Sequence, residues 1–398
     1  MLKYYAAVGT LALSTTAVDA GGWETGRLDT GFLYQDGTYV EASYGSLDYS
    51  VNGTTQANQK HEMAKDQKRM SLSGKFAAGG FDIGLTSFGS GAIQMDGQGA
   101  AVDAGACSTA LGNYTIAAGA AAIAQGTDTP TPTADMLTQA QLMGANCSVV
   151  PSADVKLNTQ ALVTRYSFND KYSVIAGVRQ SSLRKSSLDT LAAAYSIDAV
   201  SKTGAVYGFA YERPDIALKF EILRSESITI DLVGKAATIL DVTGTLVIPE
   251  ATTINFQTGI AENTLLIASA HRVNWTGSDV KLNVAASPSL NQASDFSNTT
   301  SYSLGLGRKL NEATSASLTY SWEKGTNPGG ASTSPFTMSN GSETLSAGVQ
   351  HKIGSITISG GISYTKAGDV DVTHSSGLTA SYADNSVTAV GIKFGYNF

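Results

Sequence analysis

Charge is the first thing this chain is short of. Of its 398 residues only 15% are Asp, Glu, Lys or Arg, and the net charge is −7. Lys and Arg are scattered rather than clustered, which excludes a nucleic-acid partner, since that needs a basic stripe or patch. Proline is scarce as well, at 8 residues, and every one falls in a turn, a loop or a strand boundary of the reading below. Strand interiors therefore keep all their ladder donors. No window after the N-terminus approaches the roughly 20 apolar residues a membrane-spanning helix requires. Any passage through a membrane must then be made by strands.

Catalytic motifs are missing too. No Gly-x-Ser-x-Gly elbow, His-Glu-x-x-His helix, Cys-x-x-Cys pair or phosphate-binding loop occurs, and Gly305-Leu306-Gly307 lies inside a strand with no helix after it. The four histidines, His61, His271, His351 and His374, are dispersed. His271 and Ser269 face the same way on one strand, but the sequence offers them no orienting third group. The chain reads as a non-enzyme without a cofactor or metal. Its two cysteines, Cys107 and Cys147, follow an export signal, and a pair in an exported chain is expected to be bridged. Such a bridge, closing about 40 residues, constrains the unfolded chain by roughly 4 kcal/mol.

What is abundant is glycine, at 42 residues, together with Ser, Thr, Ala and Tyr. That mixture suits strands and no helical class. Residues 1–20 read as a secretory signal peptide. Lys3 gives the positive start, Tyr4 to Leu13 the apolar core, and Val18-Asp19-Ala20 a small-residue site with cleavage after Ala20. Gly21 to Gly37 are too few for a domain, yet Trp23, Phe32, Leu33 and Tyr34 make them too aromatic for a solvated tail.

From Thr38 on, residues alternate at period two in segment after segment. The last, Val387 to Phe398, sets Val390, Ile392, Phe394, Tyr396 and Phe398 on one face against Ala389, Gly391, Lys393, Gly395 and Asn397 on the other. Successive strand side chains point to opposite faces, so each segment is a strand with one greasy and one small or polar side. Fourteen are legible, beginning near Thr38, Arg69, Phe81, Val155, Tyr172, Gly204, Ile216, Ala251, Thr264, Ser301, Ser315, Glu343, Ser355 and Val387. The seventh is read as running to Asp231. Short turns follow the even-numbered strands and long loops the odd ones, the signature of a bacterial outer-membrane barrel. An even count puts both termini on the periplasmic side. Tyr211, Trp275, Tyr320, Trp322, Tyr364 and Tyr396 near strand ends fit interfacial girdles.

The fold class expected is thus all-β, a closed antiparallel transmembrane β-barrel of about 14 strands over residues 38–398. Its large extracellular loop is placed at 92–154, with short helices over Ile116 to Ala124 and Ala134 to Leu142. Periodicity alone does not say which face is the outside. The export signal, the loop asymmetry and the closing aromatic put the oil outward.

Three segments carry a more specific signal: Pro214-Asp215-Ile216-Ala217-Leu218 after Tyr211, then Val247-Ile248-Pro249-Glu250, then Asn274-Trp275-Thr276. With the strand count, they resemble the FadL-type family of outer-membrane transporters for long-chain fatty acids and other hydrophobic compounds, over Gly31 to Phe398. The resemblance implies a monomeric barrel plugged by its own N-terminal segment, here 21–37. It also implies capture of a hydrophobic ligand among extracellular loops and its sideways release through a kink in the third strand. Gly84, Gly89 and Gly91 fall near that kink, and Gly suits such a bend. The plug is short and lacks the family's Asn-Pro-Ala element. Phe32, Leu33 and Tyr34 are the candidate pocket residues, with a simple wedging role as the alternative. Partners follow from this reading: outer-membrane lipids, a hydrophobic small molecule such as a fatty acid, and the outer-membrane barrel assembly machinery through the C-terminal strand. Two rivals stay open, a general diffusion porin and a surface adhesion or structural outer-membrane protein.

Overall fold

The structure is a computed structural model that describes residues 22–55, 60–97, 104–146, 150–169, 171–190, 193–327, 330–332, 334, 336–373 and 379–398. The signal peptide and Cys147 lie outside the described residues. Fourteen strands form the wall: β1 Tyr39–Ser50, β2 Gln67–Ala78, β3 Phe81–Asp96, β4 Ser152–Ser167, β5 Tyr172–Leu183, β6 Val200–Arg213 and β7 Leu218–Ser225 make the first half. The second half is β8 Ala251–Ala261, β9 Thr264–Val273, β10 Thr299–Lys309, β11 Thr314–Lys324, β12 Gly341–Ile353, β13 Ile356–Ala367 and β14 Ser386–Asn397. Each pairs antiparallel with its neighbours, and β14 returns to β1 in register from Tyr39 opposite Asn397 to Ser50 opposite Ser386. Two bonds finish the seam: Phe398 N donates to Thr38 O at 3.0 Å, and Asn397 Nδ2 to Asp36 O at 3.1 Å. No sheet edge is left for hydrocarbon to strand.

Strand β13 decides which face is the outside. Ile356, Ile362 and Tyr364 are 42, 52 and 55% exposed, while Ser359, Ser363 and Thr365 are 1, 2 and 1%. The same holds around the wall, where Leu72, Leu85, Val178, Leu306, Leu318, Leu345 and Phe394 face outward. A row of apolar side chains that water would penalise is stable there only in lipid. Inside, short hydroxyls lock neighbouring strands together: Ser73 with Thr86 at 2.9 Å, Thr159 with Ser181 at 2.9 Å, Ser269 with Ser303 at 2.7 Å, and Thr344 with Thr365 at 2.8 Å.

The end carrying the long loops is built up rather than open. Strands Ser186–Asp189, Ala194–Ile197, Ile228–Ala236 and Leu240–Ile248 extend the sheet upward as hairpins. The seventh segment therefore divides, its wall strand ending at Ser225 and a new strand starting at Ile228, instead of running unbroken to Asp231. Hairpin and strand-top side chains, among them Leu47, Met95, Leu188, Ile230, Leu246, Trp275 and Tyr382, pack into one apolar core that caps the lumen. Above it stand two helices, α1 Ala104–Gln125 and α2 Ala134–Asn146. Both outrun the short helices expected, because alanine-rich sequence tolerates the glycines within it. Thr133 starts α2 by accepting from Met136 N at 3.3 Å, with Pro130 and Pro132 in the connection. The helices leave Ile116, Ile123, Leu137 and Leu142 exposed.

Candidate functional site

The site grows from one irregularity in β3. Its pairing with β4 shifts register between Gly89 and Gly91, so Ser90 bulges out of the ladder and its carbonyl loses a wall partner. The N-terminal segment supplies the missing donors: Thr25 N reaches Ser90 O at 3.0 Å and Gly26 N at 3.4 Å, while Ala92 N donates to Trp23 O at 3.0 Å. The bulge is thus closed from inside by residues 23–26. Glycine is required where it meets this segment. A Cβ on Gly91 would overlap the Trp23 ring, and one on Gly84 would overlap Phe32 and Leu33. Gly89 has open space on its Cβ side, with only Asn158 Oδ1 at 4.0 Å.

The foot of the segment is tied lower in the lumen. Phe32 and Leu33 are buried against Tyr39, Ala161 and Val163, and they form the middle of a one-turn helix over Gly31–Tyr34. Beside them Glu221 of β7 is 1% exposed and collects donors from three directions. Tyr34 Oη lies at 2.5 Å, Thr30 Oγ1 at 2.8 Å from each oxygen, and Asn255 Nδ2 at 2.9 Å. Burial, then the Glu221 carboxylate, push the Tyr34 phenol well above its usual range, so it remains a donor. Its ring is held between Arg165 and Lys219, each 4.2 Å from the centroid, a paired cation–π contact. Arg165 continues to Glu212 at 2.5 Å and Asp82 at 3.3 Å, and Lys75 joins Asp82 at 2.6 Å. A charged network therefore spans the short-turn end of the lumen.

Between bulge and foot lies a small, partly open cavity of about 30 Å³. Trp23, Leu28, Phe88, Leu223, Ile248 and Trp275 give it apolar walls, and Glu24, Arg27, Arg179 and His271 its polar groups. Trp23 meets Trp275 edge to face with centroids 5.4 Å apart. His271 Nε2 is 2.8 Å from Glu24 Oε2, and its Nδ1 is 2.8 Å from Thr253 Oγ1. Burial raises the Glu24 carboxyl, but His271, Arg27 and Arg179 outweigh it and hold the group below the usual carboxylate range. An ionised carboxylate only accepts, so Nε2–H donates to Glu24. Four of the residues lining this cavity carry a buried donor with no partner among the described residues: Trp23 Nε1, Trp275 Nε1, Arg27 Nε and Arg179 Nε.

The sequence-predicted residues divide between these places. Gly89 and Gly91 lie at the bulge, Gly84 beneath Phe32, and Phe32, Leu33 and Tyr34 at the foot rather than on the cavity wall. Cys107 lies in α1, with its expected partner outside the described residues. Glu24, Arg27, Arg179, Glu221 and His271 come to the site without a sequence signal. A lone charged residue in an alternating strand carries no signal of which distant residue it will meet. Two of the three segments that carried the family resemblance do reach the site, through Ile248, Pro249 and Trp275.

No protein-family model and no curated protein sequence matches the chain. Solved structures do. A FadL homologue from Pseudomonas aeruginosa superposes with a TM-score of 0.67 at 10% identity, covering 92% of each chain. The toluene transporter TodX of Pseudomonas putida gives 0.58 at 12%, covering 96% of this chain and 98% of its own. The Ralstonia pickettii toluene transporter TbuX gives 0.57 at 13%, covering 95% of both. At such identities the likeness establishes the fold, and this chain has that of the FadL-type outer-membrane channels.

Proposed function

We propose that this protein is an outer-membrane channel for the uptake of hydrophobic small molecules, long-chain fatty acids among them. Solutes pass by diffusion through the plugged barrel and leave sideways into the membrane. The observation that carries the reading is the cavity behind the β3 bulge, which combines apolar walls with four unpartnered N–H donors. Unpaired buried donors are costly, and a guest that brings oxygen acceptors on an apolar body relieves them while filling the walls. That is the build of an amphiphile with one oxygen-rich head. The solved neighbours named as toluene transporters make hydrophobic cargo the natural class.

Sideways exit is supported by what lies on either side of the cavity. Going down, a solute meets Lys75, Asp82, Arg165, Glu212, Lys219 and Glu221, whose ion pairs an apolar body cannot replace. Going outward, it meets a bulge held by backbone bonds to residues 23–26. The exposed Ile116, Ile123, Leu137 and Leu142 of the helix pair supply an apolar landing surface outside. The same network ties its cations to acidic partners and to the Tyr34 ring of the plug instead of lining an open constriction with them, which speaks against a general porin. The test is a paired transport assay in proteoliposomes. Labelled palmitate should be taken up while sugars cause no swelling. Swelling with sugars and no palmitate uptake would overturn the proposal.

A further inference from the structure

Among the described residues, the only carboxylate on the cavity wall belongs to the plug itself. Glu24 sits on His271 at 2.8 Å, and the other charged groups lining the space are Arg27 and Arg179. Arg27 spends Nη2 on Ser301 Oγ at 2.9 Å, and Arg179 spends Nη2 on Glu226 O at 2.6 Å. Both leave a buried Nε–H without a partner. The cavity is thus a cationic, donor-rich pocket whose single anion is tethered to the segment that closes the bulge. We propose that Glu24 is an internal stand-in for the head group of an acidic amphiphile: it occupies the pocket's carboxylate position at rest, and an incoming carboxylate has to displace it.

This rests on the amphiphile reading above and adds a competition to it. Two ionised carboxylates in one small, poorly hydrated site repel strongly, so the second enters only as the first leaves or takes up a proton. Glu24 is not free to swing away alone. Its neighbours Trp23, Thr25 and Gly26 are bonded to Ala92 and Ser90 across the bulge, so expelling the side chain pulls on the backbone that seals the wall. Acidic cargo therefore works against the closed plug, whereas an uncharged analogue of the same length has no such competitor and only fills the apolar walls.

Detergent-purified protein is titrated with palmitate and with hexadecanol, for wild type and for Glu24→Gln. Gln keeps an acceptor for His271 and removes the charge. Palmitate affinity should rise on the order of tenfold or more, from one like-charge repulsion removed, with hexadecanol affinity unchanged. A variant lacking residues 22–26 should show the same acid-selective gain, and heat-modifiable migration in gels reports that each barrel has folded. If Glu24→Gln leaves palmitate affinity unchanged, lowers it, or raises palmitate and hexadecanol together, Glu24 is only an anchor and the inference fails. If wild-type protein binds neither compound, it is the amphiphile reading that fails.

Discussion

Removing one oxygen from the foot of the plug should open the channel measurably. In Tyr34→Phe the ring keeps its place between Arg165 and Lys219, but the 2.5 Å bond to Glu221 is lost. Thr30 and Asn255 still serve that carboxylate, so the loss is that of one hydrogen bond to a charged group, about 1.5–3 kcal/mol. If the bond is broken when the plug moves, the closed-to-open ratio falls by about 10- to 150-fold. Planar-bilayer recordings read this directly as more frequent conductance bursts at unchanged unit size. Glu221→Gln alone and combined with Tyr34→Phe complete a double-mutant cycle, and the two effects should be strongly non-additive. Burst frequency in Tyr34→Phe equal to wild type would show that the foot does not hold the plug. Additive effects of the two substitutions would show that Tyr34 and Glu221 do not act on each other.

Other perturbations address the bulge, the carboxylate and the outer loop. Gly91→Ala places a methyl in the Trp23 ring. Overpacking costs about 1–3 kcal/mol, so Trp23 should leave its pocket, with a red-shifted emission and easier acrylamide quenching. Glu24 has a depressed folded-state pKa, so its contribution to plug closure is present above the ordinary carboxylate pKa and is lost as pH falls through the depressed value. Conductance should therefore rise as pH is lowered below the ordinary carboxylate range, and by less in Glu24→Gln. The Cys107 to Cys147 bridge expected from the sequence should give faster migration of unreduced, denatured protein in gels, a difference that Cys107→Ser abolishes.

The wall was legible because a membrane barrel repeats one rule fourteen times. In β13 each Ile or Tyr facing lipid is followed by a Ser, Thr or Gly facing the lumen, and the pairing registers preserve that parity from strand to strand. Legibility ended where parity did. At Ser90 one residue drops out of the β3–β4 pairing, so alternation reverses phase. A pattern read at period two then stops near Gly91, although the strand continues to Asp96. The hairpin over Ile228–Ile248 was lost for a related reason: with both a barrel and a cap to pack against, its alternation continues that of β7, and only the backbone shows the break at 226–227. The site was the least legible part. Glu24 and His271 are separated by 247 residues, and closure of the wall, not any local pattern, brings them together.

Tryptophan quenching tests the central claim most directly, because the chain has only three tryptophans and two of them, Trp23 and Trp275, face the cavity. Trp322 is exposed on the lipid-facing wall, so Trp322→Phe leaves only cavity reporters. Brominated palmitate added to this variant should quench its emission saturably, and unlabelled palmitate should reverse the quenching by competition. Emission that stays unquenched, or declines only in linear proportion to fatty acid dissolved in the detergent, would mean that no amphiphile reaches the space behind the β3 bulge.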